Sequence, residues 1–313
     1  MHEGLYDRSQ ASDQSLESYR TSLDQVAAEF SDKLCIYITG SYGRGEASDK
    51  SDVDLFFVSP DKSIITRENE LTLFGDLVKM NRSLGKPKFS RDCTFLKIHH
   101  ADELLDRLGH PEDDSGNTFT ARMLLLLEGR CLINEEIFEN LVDQILKTYF
   151  SDYMMHSPGF VPRFFFNDIT RFWKTLCLNY EAFCDKSSKT KERIQNLKLR
   201  FARKLTCFST IVAVLALREF APAKVKEIVN KKPWERLYFA CDGNPDASAK
   251  VDGMAECYLE FLKLVDAAKE NDTWVMPIED WTSAKEHSLR FGAKLVELMQ
   301  DLGGSDALQV VAL

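Results

Sequence analysis

Two aspartates one residue apart, Asp52 and Asp54, follow a Gly-Ser pair, Gly40-Ser41, across ten intervening residues. An apolar run, Leu34–Ile38, enters the Gly-Ser turn, and a second run to Val58 carries the two aspartates. Residues two apart on a strand point to the same face, so both carboxylates project together. Such a pair can share a hard cation, and Mg2+ is usually held by one or two carboxylates plus substrate phosphates. Backbone N–H groups of a Gly-Ser turn at a helix start form a nest for phosphate. Gly40 and Ser41 are therefore candidate nucleotide-phosphate contacts, and Asp52 and Asp54 candidate metal ligands. Arg44, between Gly43 and Gly45, offers a guanidinium that matches phosphate bidentately; the alternative is an exposed arginine pairing with Glu46 or Asp49.

The stretch ITGSYGRGEASDKSDVDLFFV, Ile38–Val58, resembles the G-S-x(10)-D-x-D signature of the DNA polymerase β-type nucleotidyltransferase superfamily. Its wording is closest to the bacterial signal-transduction nucleotidyltransferases, the group that includes the PII-protein uridylyltransferase. The likeness covers roughly residues 14–150 and continues into TARMLLLLEGRCLINEEIFENL. It implies that Asp52 and Asp54 hold Mg2+ or Mn2+ and that Gly40-Ser41 receives the β- and γ-phosphates of an NTP. Members usually add a third carboxylate from a neighbouring strand. Asp92, just before FLKIHH, is the best placed for that role; Asp102 and Glu103 are alternatives that read as the first turn of a helix.

Beyond the signature, KTKERIQNLKLRFARK, Lys189–Lys204, concentrates seven Lys or Arg with one Glu inside an acidic protein. Arg193, Arg200 and Lys204 recur at helical spacing. Arg200 and Lys204 are carried as candidate phosphate contacts, against the reading of a solvated face that balances acidic neighbours. Asp168, Arg171 and Lys174 form a second spaced row, read as salt-bridged structure or cleft wall. The aromatic group Phe160, Phe164, Phe165, Phe166, Phe172 and Trp173 reads as core.

The net charge is −9 with a pI near 5.3, which argues against a broad nucleic-acid surface. Eight cysteines are scattered without a C-x-x-C pair, so neither a zinc site nor a disulfide framework is expected. MHEGLYDRSQASDQS has no apolar core, and no run approaches a bilayer span; a reducing, cytoplasmic setting without a membrane partner is the expectation.

Periodicity predicts a loosely held segment over 1–13, an amphipathic helix over 14–30, strands at 34–39 and 53–58, and a helix over 67–80. A third strand or hairpin arm at 95–100, a loop at 109–117 and helices at 118–128 and 134–149 follow. Two prolines and a glycine in SDYMMHSPGFVPR mark a boundary. Beyond it every segment reads as helix, and the tail carries Leu308, Val310, Val311 and Leu313. The fold class is α+β: a small mixed-sheet catalytic domain over residues 1–150, then an all-helical domain over 151–313.

The expected activity is Mg-dependent transfer of an NMP from an NTP to an acceptor hydroxyl, with protein placed ahead of RNA as the acceptor class. An RNA-end, tRNA or second-messenger nucleotidyltransferase is one alternative. A degenerate nucleotide-sensing regulatory module, or one half of a toxin–antitoxin or defence pair, is the other. The base, the acceptor and the oligomeric state are not encoded in any motif.

Overall fold

The computed structural model describes residues 1–89, 92–156, 159–184, 188–217, 219–268 and 276–304. The chain separates into two compact units, one of Asp7–Ser151 and one of Met1–Tyr6 with Asp152–Leu313. The apolar tail beyond Gly304 lies outside the described residues.

The first unit is built on a four-stranded mixed sheet of β1 (Cys35–Thr39), β2 (Asp54–Ser59), β3 (Ile98–His100) and β4 (Arg130–Ile133), in the order β3-β2-β1-β4. β1 pairs antiparallel with β2 and with β4, whereas β3 joins β2 in parallel. A parallel neighbour requires a crossover, supplied by the helix Arg67–Ser83. The 95–100 segment is thus not a hairpin arm, and only its last three residues pair.

Both faces of the sheet are covered, which is why β1 is buried along its whole length. On one face Ile36, Ile38, Leu55, Phe57 and Ile98 pack with Leu16, Tyr19 and Leu23 of α1 (Glu3–Val26) and with Leu73 and Leu77 of α3 (Arg67–Ser83). The short helix α2 (Gly40–Gly43) lies between β1 and β2. On the other face Tyr37 stacks on Phe56 at 5.2 Å and meets Phe138 edge-on at 6.0 Å. Phe56 in turn stacks on His99. These residues are roofed by α4 (Ala101–Asp106), α5 (Pro111–Ser115), α6 (Thr118–Glu128) and α7 (Glu135–Tyr149). The Tyr37 hydroxyl donates to the Ala121 carbonyl at 2.9 Å.

α1 begins at Glu3, within the segment 1–13 that sequence alone leaves loosely held, and not at residue 14. Ser9 and Ser12 are buried on the same stripe as Leu16, Tyr19 and Leu23, and hydroxyls at apolar spacing concealed the periodicity. Ser12 Oγ accepts from the Ala47 N–H, so a hydroxyl rather than a methyl is needed there. Two further elements went unread. β4 is four residues between helices, and α5 fills the segment 109–117 assigned to a loop.

α6 is buried almost all round, as expected of a helix apolar on every side. Its one basic residue, Arg122, is fully enclosed and bound to Asp113 of α5 at 2.5 and 3.1 Å. The same guanidinium donates to the Leu104 carbonyl of α4 and to the Tyr149 hydroxyl of α7, tying four helices together.

The second unit is helical throughout its described residues: α8 (Tyr153–His156), α9 (Arg163–Phe183), α10 (Lys189–Lys198), α11 (Lys204–Leu215), α12 (Pro222–Val229), α13 (Pro233–Ala240), α14 (Pro245–Ala268) and α15 (Ile278–Gly303). Phe201 stacks on Phe261 at 4.8 Å and is ringed by Tyr258 and Phe291, which makes the aromatic centre of this unit. Phe165, Phe166 and Phe172 are buried as expected, whereas Phe164 is exposed. A π-helical turn, Leu199–Arg203, interrupts what sequence periodicity had made one continuous helix. No helix among the described residues is long and apolar enough to cross a membrane.

Removing one partner of a buried ion pair costs about 3–5 kcal/mol, because the other charge is stranded. Asp113→Asn or Arg122→Met should each lower stability by that order in urea unfolding, and Asp113→Leu with Arg122→Met should recover most of it. His99 is buried, its Nδ1 has no hydrogen-bond partner among the described residues, and desolvation, with Lys97 adding repulsion, pulls its pKa down to about 4. The unfolded chain binds the proton first, so stability present above about pH 6.5 falls as pH drops toward the folded value. Stability measured from pH 7 to 4 should lose about 3 kcal/mol through this group, and His99→Phe should flatten that limb of the curve.

Candidate functional site

The site forms where β1 ends and β2 begins. Thr39, the last residue of β1, is the register partner of Asp54, the first of β2. The Gly-Ser turn therefore follows directly from the strand position opposite a carboxylate. Val53, Leu55 and Phe57 point into the α1 face. Asp52, Asp54 and Phe56 alternate with them and belong to the opposite face. Asp54 is half-buried and Asp52 is exposed at the strand entry.

Gly40 takes φ +68, in the left-handed region that favours glycine. A Cβ there would stand 2.4 Å from Asp54 Oδ2, so the backbone of the turn rests on the carboxylate itself. Gly43 is required for a second close approach: its Cβ would meet the Glu128 carbonyl oxygen at 2.1 Å. Both glycines of α2 are thus explained by what lies against them.

Glu128, at the end of α6, is the residue that sequence reasoning missed. Its side chain is fully buried, and its two oxygens do different work. Oε1 accepts the Gly40 N–H at 2.9 Å, and Oε2 accepts from Arg44 Nη1 at 2.8 Å. Arg44 also donates through Nε to Glu46 Oε1 at 2.7 Å. Of the two readings open for Arg44, the structure shows a buried strut gripped by Glu46 and Glu128, not an exposed arginine. The only sequence signal for Glu128 was a carboxylate closing an otherwise apolar helix.

α2 continues from Gly40 through Ser41, which is half-buried. By helix geometry the N–H groups of Ser41 and Tyr42 head α2 without intrahelical acceptors. The Gly40 N–H is already taken by Glu128. The Tyr42 carbonyl accepts from Arg130, which also pairs with Asp13 of α1 at 2.8 Å. Arg8 Nε donates to the Glu46 carbonyl at 2.8 Å, so α1 and β4 hold the turn from outside.

Asp92 is exposed with φ 52, in a turn before β3. β3 itself brings no carboxylate to the sheet. Asp102 and Glu103 do lie in the first turn of α4, where Glu103 pairs with Lys62 and Arg107. Among the described residues no three His, Cys, Asp or Glu side chains are gathered as a metal-ion set. Asp52, exposed ahead of β2, and Asp54, half-buried at its start, are hard oxygen donors of the kind that hold Mg2+ together with substrate phosphates.

In the second unit Arg200 lies in the π-helical turn and Lys204 directly follows it, close enough for the two charges to interact. Arg200 Nε donates to Asn196 at 2.6 Å, and Lys204 lies against Gly292 of α15, where a Cβ would meet its Nζ at 3.1 Å. Burial first, then Arg200, lowers the Lys204 pKa. Arg193 is turned to the Met276 carbonyl, and Arg171 pairs with Asp168 at 3.5 Å, which makes that row structural.

Residues 20–108 match the family model described as a nucleotidyltransferase domain. Over these residues the first unit is similar to a nucleotidyltransferase domain. The match contains the Gly-Ser turn, both aspartates, α3 and β3, and it supports a transferase acting on nucleotides. No curated protein and no solved structure matches the chain.

A methyl at Gly40 collides with Asp54 and adds backbone strain. Gly40→Ala should keep the fold but cost about 100-fold in nucleotidyl transfer, the scale of a misplacement near 1 Å. Glu128→Gln removes the charge facing Arg44 and should cost about 1–3 kcal/mol in thermal unfolding.

Proposed function

We propose that this protein transfers an NMP from an NTP to an acceptor hydroxyl, with Asp52 and Asp54 at the centre of the reaction. The observation that carries the reading is the contact between Gly40 and the Asp54 carboxylate. The Gly-Ser turn lies directly against this carboxylate, which supports reading the turn as the phosphate receiver and Asp54 as a metal ligand. The acceptor oxygen attacks the α-phosphorus and pyrophosphate leaves, so the protein contributes positioning and charge stabilisation.

Asp52 and Asp54 would hold Mg2+ or Mn2+, which when bound offsets the charge of the phosphates and orients them. The Ser41 hydroxyl, with the N–H groups heading α2, receives the outgoing β- and γ-phosphates. Gly40 keeps the turn close enough for both. Arg44 acts from behind, fixing Glu128 and through it the Gly40 N–H. Asp92 is the proposed third carboxylate and proton acceptor. In this assignment residues 1–150 form the catalytic domain and 151–313 a helical domain.

A protein hydroxyl is the proposed acceptor, in keeping with the resemblance to signal-transduction nucleotidyltransferases and with the acidic surface. All eight cysteines are free thiols, in keeping with a reducing cytoplasm. Arg200 and Lys204 support a second reading, an RNA-end or second-messenger transferase, because a half-buried lysine beside an arginine is suited to phosphate.

The test is transfer from each α-32P-labelled NTP, with Mg2+ or Mn2+, to a cell lysate. Label on a protein band, reduced by at least about 1,000-fold in Asp52→Ala with Asp54→Ala, is the expected result. Label on RNA or a small product selects the second reading. Binding of an NTP without any transfer in the unaltered chain overturns both and leaves a nucleotide-sensing module.

A further inference from the structure

α11 opens on Lys204 and is buried along nearly all the rest of its length, so its first residue is drawn in against its neighbours. The Lys204 side chain is half-buried beside Arg200 of the π-helical turn, Cys177 of α9 and Gly292 of α15, all within the second unit. A Cβ at Gly292 would stand 3.1 Å from the lysine Nζ. Gly292 is not held in the left-handed region, and glycine inside a helix is unfavourable relative to alanine. Its place on α15 is explained by the room it leaves for the ammonium.

This ammonium is unanswered. Among the described residues Lys204 makes no hydrogen bond and no ion pair, although the chain as a whole carries a net charge of −9. The groups that bear on its charge are Arg200, which repels it, and the Cys177 thiol. Burial raises the Cys177 pKa, so that thiol is neutral and supplies no counter-charge. Glu181 acts on Cys177 and not on Lys204. Arg200 donates through Nε to Asn196 Oδ1 at 2.6 Å, and among the described residues its Nη1 and Nη2 have no partner. Two adjacent cations, one of them half-buried, are costly without a counter-ion, and an anion between them removes that cost.

We propose that Arg200 and Lys204 form an anion site of the second unit that binds the phosphate group of a small phosphate monoester. The guanidinium offers parallel N–H donors that match two phosphate oxygens, and the ammonium takes a third. Charge selects the class. A phosphate monoester carries about −1.5 to −2 at pH 7 and balances two cations. A carboxylate or a backbone phosphodiester brings a single charge and leaves one cation unanswered. The pair flanks a π-helical turn, a feature frequent at functional sites. The ligand is therefore a small molecule in its own right rather than the backbone of an RNA acceptor. The site needs neither Asp52 nor Asp54, so it stands independently of the transferase reading.

The test is an NMR titration of the full chain, labelled with 13C at the lysine ε carbons, at constant ionic strength. The probes are inorganic phosphate, glycerol 3-phosphate, dimethyl phosphate and acetate, and the Lys204 resonance is assigned by its loss in Lys204→Gln. That resonance should shift saturably with the first two probes and bind the last two at least about tenfold more weakly. The tighter of the first two tells whether the free ion or an organic ester is the ligand. Arg200→Gln should weaken binding by about tenfold, whereas Asp52→Ala with Asp54→Ala leaves it unchanged. Gly292→Ala crowds the ammonium and should weaken binding several-fold, while its melting temperature holds or rises because alanine favours helix. No saturable shift at Lys204, equal affinity for dimethyl phosphate or acetate, or undiminished affinity in Arg200→Gln would overturn the proposal.

Discussion

The arrangement of the site depends on one buried carboxylate. Glu128 stands at the end of α6 with its side chain closed to solvent, and its two oxygens bind the first N–H of the Gly-Ser turn and the Arg44 guanidinium. A buried carboxylate is costly unless its lone pairs are satisfied, and here each finds a donor from the same short loop. The loop is thereby fixed at both ends of α2. Once it is fixed, Gly40 has only one place to go, against the Asp54 carboxylate.

The rest of the first unit keeps Glu128 where it is. α6 is buried nearly all round and runs behind β1, so its last residue arrives at the sheet end from which the turn departs. Arg122, two turns earlier, binds α5, α4 and α7 and prevents α6 from sliding along its axis. On the opposite side, α1 contributes Ser12, Asp13 and Arg8 to the loop, each by a hydrogen bond to backbone or to Arg130. The polar loop is thus gripped from both faces of the sheet, while Asp52 and Asp54 stay at its open end. Rigid support with an exposed reacting edge is what positioning catalysis requires.

The second unit is held by different means. An aromatic group around Phe201, Tyr258, Phe261 and Phe291 forms its centre, and Arg236 closes α12 by donating to the carbonyls of Ile228 and Val229. A π-helical turn that contains Phe201 separates α10 from α11, with Arg200 inside it and Lys204 directly after it. Such turns are frequent at functional sites.

The sequence by itself determined the class of fold and the local geometry of the Gly-Ser turn and its aspartates. Gly40-Ser41, Asp52 and Asp54 were legible because residue type and strand period act locally: a turn needs glycine, and carboxylates two apart share a face. The long helices α3, α6, α7, α9 and α14 were legible for the same reason, since each carries its own period of apolar residues. What tertiary structure decided were the contacts between segments distant in the chain. Glu128 lies 88 residues from Gly40, and nothing local distinguishes it from any carboxylate at a helix end. The fate of Arg44, the parallel seating of β3 on β2, the four-residue strand β4 and the serine-bearing start of α1 belong to the same class. Each is stabilised by a partner that only folding brings near, so its own residues carry too weak a pattern to announce it.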